Sequence, residues 1–315
     1  MMDRGIVIFG TGKVGEKAFH LVKDEIRCDN TFFCDNDPKK WGGEYQDIII
    51  ISPEELERKI EGGDRFNIIV AVGNDVDEIA CQLLRMGILR GCIYAYNQHY
   101  NQISKYEEIY GQIEYSQDGE ESYLKQKFSR KAKGVYIDVG ANHPFLYSNT
   151  FWASKRGWCG INIEPDEANF YKLCLFREKD INLQIGVGDK EGVLAFYRFP
   201  THQANTFDKK RALEVSERIG EEFVEEKIPV ITLQAVFDEY NIQEVDILDI
   251  DAEEMDFQVL QGIDWNRVQI ECILIEQRTK NLREVMESDI CSFLSTKGYE
   301  PVNKYNRTVI YEKKK

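Results

Sequence analysis

The sequence predicts an α/β protein built from two open, mostly parallel sheets in succession. Three observations predict it. Short apolar stretches of strand length alternate with helical stretches from end to end. The pattern starts twice, at IVIFGTGKVG (6–15) and at YIDVGANHP (136–144), each time as a strand running into a glycine turn. The 315 residues, 43% of them hydrophobic, suffice for two ordinary domains with cores of their own. The expected bounds are 1–96 for a Rossmann-like first domain, 97–115 for a connector and 116–315 for the second domain.

In the first domain, Ile6–Phe9 reads as a buried strand. Gly10, Gly12 and Gly15 then spell G-x-G-x-x-G at the start of a helix over 14–26. Asp35 ends the next strand, about 20 residues further on, where a dinucleotide site keeps its acid. Ser52 with Glu55, and Pro53 at the first helical position, start another helix. NIIVAVG (67–73) is a further strand, with a helix through Met86. The connector is polar and aromatic with weak periodicity.

The second domain opens on strand 136–140, followed by a helix near 149–156. Further strands are expected at 160–164, 181–189, 228–233, 245–251 and 271–277, and an extra one at 192–199. Helices are expected near 208–222 and 281–297. A hairpin over 299–304 and 308–312, turning at Asn306, closes the chain.

The net charge is −15, from 55 acids and 40 bases. That speaks against nucleic acid as a partner, which needs basic patches. The eight cysteines include no Cys-x-x-Cys pair, which fits a reducing compartment. No apolar run approaches the roughly 20 residues that span a bilayer, and no signal peptide is legible. A cytoplasmic protein is expected, with a homo-oligomer left open.

Ligands of open α/β sheets bind beyond the carboxyl ends of the strands. The acids of the second domain gather there: Asp138, Glu164, Asp189, Asp249, Asp251 and Glu253. Gly140 and Ala141 are small and let backbone approach a ligand. Glu164 follows its strand at the spacing of a ribose-binding acid. This loop lacks G-x-G-x-x-G, so a nucleoside without phosphates fits better than a dinucleotide. S-adenosylmethionine is such a ligand, and its sulfonium suits an acidic pocket.

Taken together, these segments resemble the FkbM family of S-adenosylmethionine-dependent methyltransferases. The resemblance rests on SQDGEE (116–121), YIDVGANHP, SNT (148–150), GWCGINIEP (157–165), LQIGVGDKEG (183–192), ITLQAVFDEY (231–240) and DILDIDAEEMDFQVLQGID (246–264). It implies a class I methyltransferase-type sheet and methyl transfer to a hydroxyl, often of a sugar or natural product. Asp138, Gly140, Ala141, Asn142, Glu164 and Asp189 are the expected cofactor residues. His143, Asp251 and Glu253 are the expected catalytic ones, His143 as first candidate for the general base. Glu254, Asp256 and Asp249 depart from the family pattern on the acceptor side.

Other readings stand beside these. Ser148, Asn149 and Thr150 can cap a helix, as Asp251 and Glu253 can. Clustered carboxylates can bind a hard cation, but no metal is expected. Trp152, Trp158, His20 and His99 read as structural, and His202 lies in a loop able to cover the site. The first domain resembles small Rossmann domains that accompany sugar-modifying enzymes. Gly10, Gly12, Gly15 and Asp35 would there hold a nucleotide or nucleotide sugar. The acceptor would be a small molecule or saccharide, as in surface polysaccharide or natural-product biosynthesis. The rivals are an NAD(P)-dependent oxidoreductase and a non-catalytic nucleotide-binding protein.

Overall fold

Five parallel strands form the centre of the first sheet, and each reads as a nearly continuous apolar run because both faces are covered. The computed structural model describes residues 4–23, 30–73, 75–98, 100–109, 114–200 and 204–314. His99, His202, Cys28 and the end of the helix expected over 14–26 lie outside them. The chain divides into two units, Met1–Gln112 and Ile113–Lys315.

The first unit contains β1 (Gly5–Phe9), α1 (Lys13–Val22), β2 (Thr31–Cys34), β3 (Glu44–Tyr45), β4 (Ile48–Ile51), α2 (Pro53–Glu61), β5 (Phe66–Val70), α3 (Val76–Arg85), β6 (Ile93–Asn97) and β7 (Gln102–Lys105). The sheet order is β3-β4-β2-β1-β5-β6-β7. Strands β4 to β6 run parallel, while β3 and β7 pair antiparallel at the edges. Strand β7 lies within the expected connector, where its pairing with β6 extends the first sheet. Weak periodicity hid it, since edge strands bury little. Ser52 caps α2 as expected, accepting the Glu55 amide at 3.1 Å.

The second unit contains α4 (Glu120–Lys127), β8 (Val135–Val139), α5 (Phe151–Lys155), β9 (Cys159–Ile163), α6 (Glu167–Phe176), β10 (Ile181–Leu183), β11 (Gly186–Gly188), β12 (Gly192–Arg198), α7 (Lys209–Ile219), β13 (Val224–Thr232), α8 (Leu233–Glu239), β14 (Glu244–Ile250), α9 (Asp256–Gln261), β15 (Gln269–Glu276), α10 (Leu282–Met286), α11 (Asp289–Thr296), β16 (Tyr299–Lys304) and β17 (Thr308–Lys313). The main sheet runs β10-β9-β8-β14-β15-β17-β16, with β17 antiparallel to both neighbours. This is the expected methyltransferase-type sheet with its terminal hairpin.

Two expectations needed refinement. The stretch 181–189 is two strands: β10 extends the main sheet, and β11 joins β12 and β13 in a separate three-stranded sheet. The helix expected over 281–297 breaks into α10 and α11, because Ser288 caps a fresh helix by accepting the Cys291 amide.

Both faces of the main sheet are buried. Ile137, Leu248, Ile273 and Val309 share one apolar cluster. Tyr136, Ile247 and Leu274 face the other way, against Leu124, Phe128, Trp152 and Trp158, which gives the two tryptophans their expected core role. No disulfide joins the described cysteines. No helix among the described residues is long and apolar enough to cross a membrane.

Candidate active site

Strand order in the main sheet reverses between β8 and β14, so the loops leaving these strands diverge and open a crevice. A cleft lies there. Its lining includes Gly140, Asn142, Glu164, Gly186, Asp251 and Glu253. Gly140 has φ +79°, and a Cβ on it would stand 1.9 Å from the Asp251 carbonyl oxygen. Glycine is therefore required for the β8 and β14 exits to pack, beyond any approach of a ligand.

Glu164 ends β9 and is buried. One carboxylate oxygen accepts the Asn142 amide at 2.7 Å and the other the Asp166 amide at 2.8 Å. Burial nevertheless raises its pKa to about 8, with the charges of Asp166 and Asp138 adding to the rise. Two amides use only part of its acceptor capacity. Asn142, at φ +49°, orients its side chain by accepting from Asn169 at 2.8 Å.

Asp138 is buried one layer behind the cleft wall. It accepts the Thr150 hydroxyl at 2.5 Å. Arg177, fully buried at the end of α6, donates to Thr150 at 3.1 Å, to Tyr136 at 2.7 Å and to the Pro144 carbonyl at 3.1 Å. It also pairs with Asp180 at 2.7 Å. This network ties the β8 strand end to the loop over 140–150. Sequence reasoning missed Arg177, because a lone arginine closing a helix carries no motif. Asp249 pairs in register with Asp138 and is also buried. Burial and the Asp138 charge push its carboxyl well above the usual range.

Three expected residues stand elsewhere. Ala141 is buried, outside the cleft lining. Asp189 is exposed past the end of β11, where Gly186 and Val187 line the cleft instead. The split of 181–189 into two strands turns it away. His143 is buried outside the lining, and its Nδ1 accepts the amides of Phe145 and Leu146 at 3.1 and 2.9 Å. In neutral histidine the proton then belongs to Nε2. An imidazole so arranged offers no free lone pair, which argues against a general base and for a turn-forming role. Ser148 is a cap, its hydroxyl accepting the Phe151 amide at 3.1 Å.

The cleft mouth carries Asp251 and Glu253. Their carboxylates, with that of Glu276, lie within 4.8 Å of one another, a spacing that could hold a hard cation. Arg278 enters the same cluster, 2.9 Å from Glu253 and 3.3 Å from Glu276. Asp251 is exposed to solvent at the mouth. Desolvation by the surrounding protein, then the charges of Glu276 and Glu253, raise its carboxyl well above the usual range. The helix beyond is steadied by Asp256, which accepts the Ala252 amide at 2.8 Å.

One wall was not foreseen in detail. Phe196 of β12 and Phe207 meet with ring centroids 4.8 Å apart, and both line the cleft. Asn205 bonds Asp166 at 3.3 Å, and Thr206 bonds the Glu253 carbonyl at 3.1 Å. Residues 205–207 thus strap the cleft from one rim to the other. The polar loop PTHQANTF was the available signal, although its His202 lies outside the described residues.

The donor set fits a nucleoside carrying a cation. Among the described residues the cleft is lined by three acids and by no lysine, arginine or histidine. Such a wall favours a sulfonium, whose charge draws these acids toward their ionised form, over a pyrophosphate.

In the first unit, the glycine fingerprint folds as its spacing demands. A Cβ on Gly10 would lie 2.5 Å from the Ala71 carbonyl oxygen, and one on Gly15 would lie 2.0 Å from that of Gly10. A Cβ on Gly12 would meet nothing within 4 Å. Asp35 accepts from Thr11 N at 2.9 Å and Lys40 Nζ at 2.8 Å. Burial raises its carboxyl, but the bonds from Lys40 and Thr11 outweigh this and hold it below the usual range.

Residues 138–301 match the sequence profile of the methyltransferase FkbM domain. No curated protein matches the chain. The methyltransferase FkbM from Methylobacillus flagellatus KT is 12% identical, over 98% of this chain and 89% of that one, with a TM-score of 0.37. UDP-D-quinovosamine 4-dehydrogenase from Vibrio fischeri is 18% identical over 33% of this chain and 93% of its own, with a TM-score of 0.27. A Rex-family repressor is 19% identical over 30% of this chain and only 45% of its own length, with a TM-score of 0.25. These structural likenesses are loose, whereas the profile covers more than half of the chain, including the end of β8 and all of β14, which frame the cleft. The chain belongs to the FkbM family of S-adenosylmethionine-dependent methyltransferases.

Proposed function

We propose that the protein transfers the methyl group of S-adenosylmethionine to a hydroxyl of a sugar or glycoconjugate, in the cytoplasm, for surface polysaccharide or natural-product biosynthesis. The observation that carries this reading is the acid-lined cleft, with Glu164 at its base and Asp251 at its mouth. When bound, S-adenosylmethionine supplies an electrophilic methyl group on a positively charged sulfur. Glu164 accepts the ribose hydroxyls with the capacity its two amides leave. Asn142 and Gly140 hold the loop that faces the nucleoside, and Asp138 holds that loop from behind through Thr150. Asp251 takes the proton of the acceptor hydroxyl as the new C–O bond forms. Its raised pKa suits this task, because a base works best when its pKa nears the working pH. Glu253, anchored by Arg278, shapes the same wall. Alignment of donor and acceptor contributes most of the remaining effect, on the order of 7–11 kcal/mol.

Asp251→Asn is expected to lower the turnover number by about 10²- to 10⁴-fold. The dissociation constant of S-adenosylhomocysteine should change by less than about threefold. Labelled methyl transfer to free, nucleotide-linked and lipid-linked sugars measures the first, and calorimetry the second. Undiminished turnover on an accepted sugar would remove Asp251 from the chemistry.

A second site is favoured by the fingerprint of the first unit. We infer that Gly10, Gly12, Gly15 and Asp35 hold a nucleotide or nucleotide sugar. The open space before Gly12 supports it, since two glycines answer to packing and the middle one does not. Gly12→Val should leave the melting temperature unchanged while abolishing binding of UDP-sugars or NAD. Binding that survives the added side chain would favour an inert or oligomerising unit.

A further inference from the structure

A second depression lies in the same unit as the cleft. An open groove runs between α10 and the β16–β17 hairpin. It lies at the same edge of the sheet as the cleft. Strand β17 is antiparallel to both β15 and β16, so β15 and β16 run the same way and end on that edge. Thr279 and Lys280 of the groove follow Arg278, whose guanidinium reaches Glu253 of the cleft at 2.9 Å. Arg278 therefore stands between Glu253 of the cleft and the start of the groove at Thr279.

The groove has a chemistry opposite to that of the cleft. Lys280, Arg283 and Lys304 line it, and no acid does among the described residues. This is notable in a chain of net charge −15. Lys304 Nζ donates to the Tyr305 and Asn306 carbonyls at 2.8 and 3.1 Å, which leaves its charge unneutralised. Glu284, the nearest acid in sequence, is turned to the Lys280 amide and the Asn281 side chain. Between the cations stand apolar side chains open to solvent: Leu282 is 66% exposed, Met286 60% and Val302 42%. Exposed apolar surface gathered in one concavity marks a binding surface.

We propose that this groove binds the acceptor's distal part and that the acceptor is an anionic amphiphile, a saccharide joined through phosphate to an apolar chain. Charge complementarity selects the phosphate, and Leu282, Met286 and Val302 take the chain. The groove begins one residue after Arg278, which reaches Glu253 at the cleft mouth, so the saccharide end is directed toward Asp251. A nucleotide-linked sugar would leave the three apolar side chains without a partner. The inference rests on the methyltransferase reading for its direction, but its binding step can be tested alone.

The test is calorimetric titration of the intact protein with dodecyl phosphate below its critical micelle concentration. Inorganic phosphate and dodecyl maltoside are titrated alongside. Dodecyl phosphate should bind saturably and at least about tenfold more tightly than either. Lys280→Glu with Arg283→Glu, and separately Leu282→Asp with Met286→Asp, should each weaken it by at least about tenfold. Both pairs lie on the surface and should leave S-adenosylhomocysteine binding within about twofold of the parent. Equal binding of dodecyl maltoside or of inorganic phosphate would overturn the proposal, as would binding that ignores the substitutions. Failure of dodecyl phosphate with normal S-adenosylhomocysteine binding sinks the groove alone. The reverse pattern sinks the methyl-donor reading and leaves the groove standing.

Discussion

Glu164→Ala is expected to weaken S-adenosylmethionine binding by about 1.5–3 kcal/mol, the range for hydrogen bonds to a charged group. The loss should come with a change in pH dependence. The folded carboxyl titrates at about 8 against an ordinary value of 4.5. Hydroxyl donors favour its ionised form, so affinity should climb as pH rises toward 8 and level off above it. Stability of the protein alone should follow the opposite sign. Between the two pKa values the folded state binds the extra proton, so stability falls as pH rises. The penalty is absent below the unfolded value and complete above the folded one. Glu164→Gln should flatten this contribution to both curves. Titration calorimetry and thermal melts between pH 5 and pH 9 measure the two slopes. An affinity that ignores both the substitution and the pH would exclude Glu164 from the nucleoside site.

The second large effect belongs to Arg177. Its guanidinium is buried with Asp180 and also holds the hydroxyls of Tyr136 and Thr150 and the Pro144 carbonyl. Removing one partner of such a pair leaves a charge in the core without its counter-charge. Arg177→Met should therefore destabilise the protein by about 3–5 kcal/mol. Asp180→Asn added to Arg177→Met removes the stranded charge and should recover part of that loss. Because the loop over 140–150 loses its anchor, the double variant should still bind S-adenosylmethionine poorly. Urea unfolding at constant m-value gives the first quantity and calorimetry the second. A cost below about 1 kcal/mol would mean that water or other donors replace the guanidinium.

Much of this architecture was legible because it rests on periodicity and turn chemistry. The parallel strands are continuous apolar runs, and Gly10, Gly15 and Gly140 sit where backbone carbonyls leave no room for a side chain. Glu164 was legible from its spacing after the glycine turn. What the sequence hides is the direction a side chain takes at a strand end. His143, beside the cofactor loop, reads as a base, but the turn it occupies consumes its Nδ1. Asp189 follows a glycine-rich stretch, but the switch of β11 into another sheet carries it to the surface. The strap at 205–207 and the network around Arg177 join segments far apart in sequence. Only the folded chain brings those partners together.

The crowding of Asp251, Glu253 and Glu276 has a consequence for proton traffic. Burial and neighbouring charge raise the carboxyls of Asp251 and Glu253, so this pair holds its protons more tightly than free acids before a ligand enters. A cationic ligand relieves the repulsion and drives those protons off, while a neutral one leaves them. S-adenosylmethionine carries the positive sulfur, and S-adenosylhomocysteine does not. Arrival of the donor should therefore release protons to the buffer, and arrival of the spent product should release fewer. By linkage, alkaline conditions shift the competition toward the donor and acidic conditions toward the product. Inhibition by the product then becomes a pH-dependent brake, set by Asp251, Glu253 and the arginine that holds Glu253.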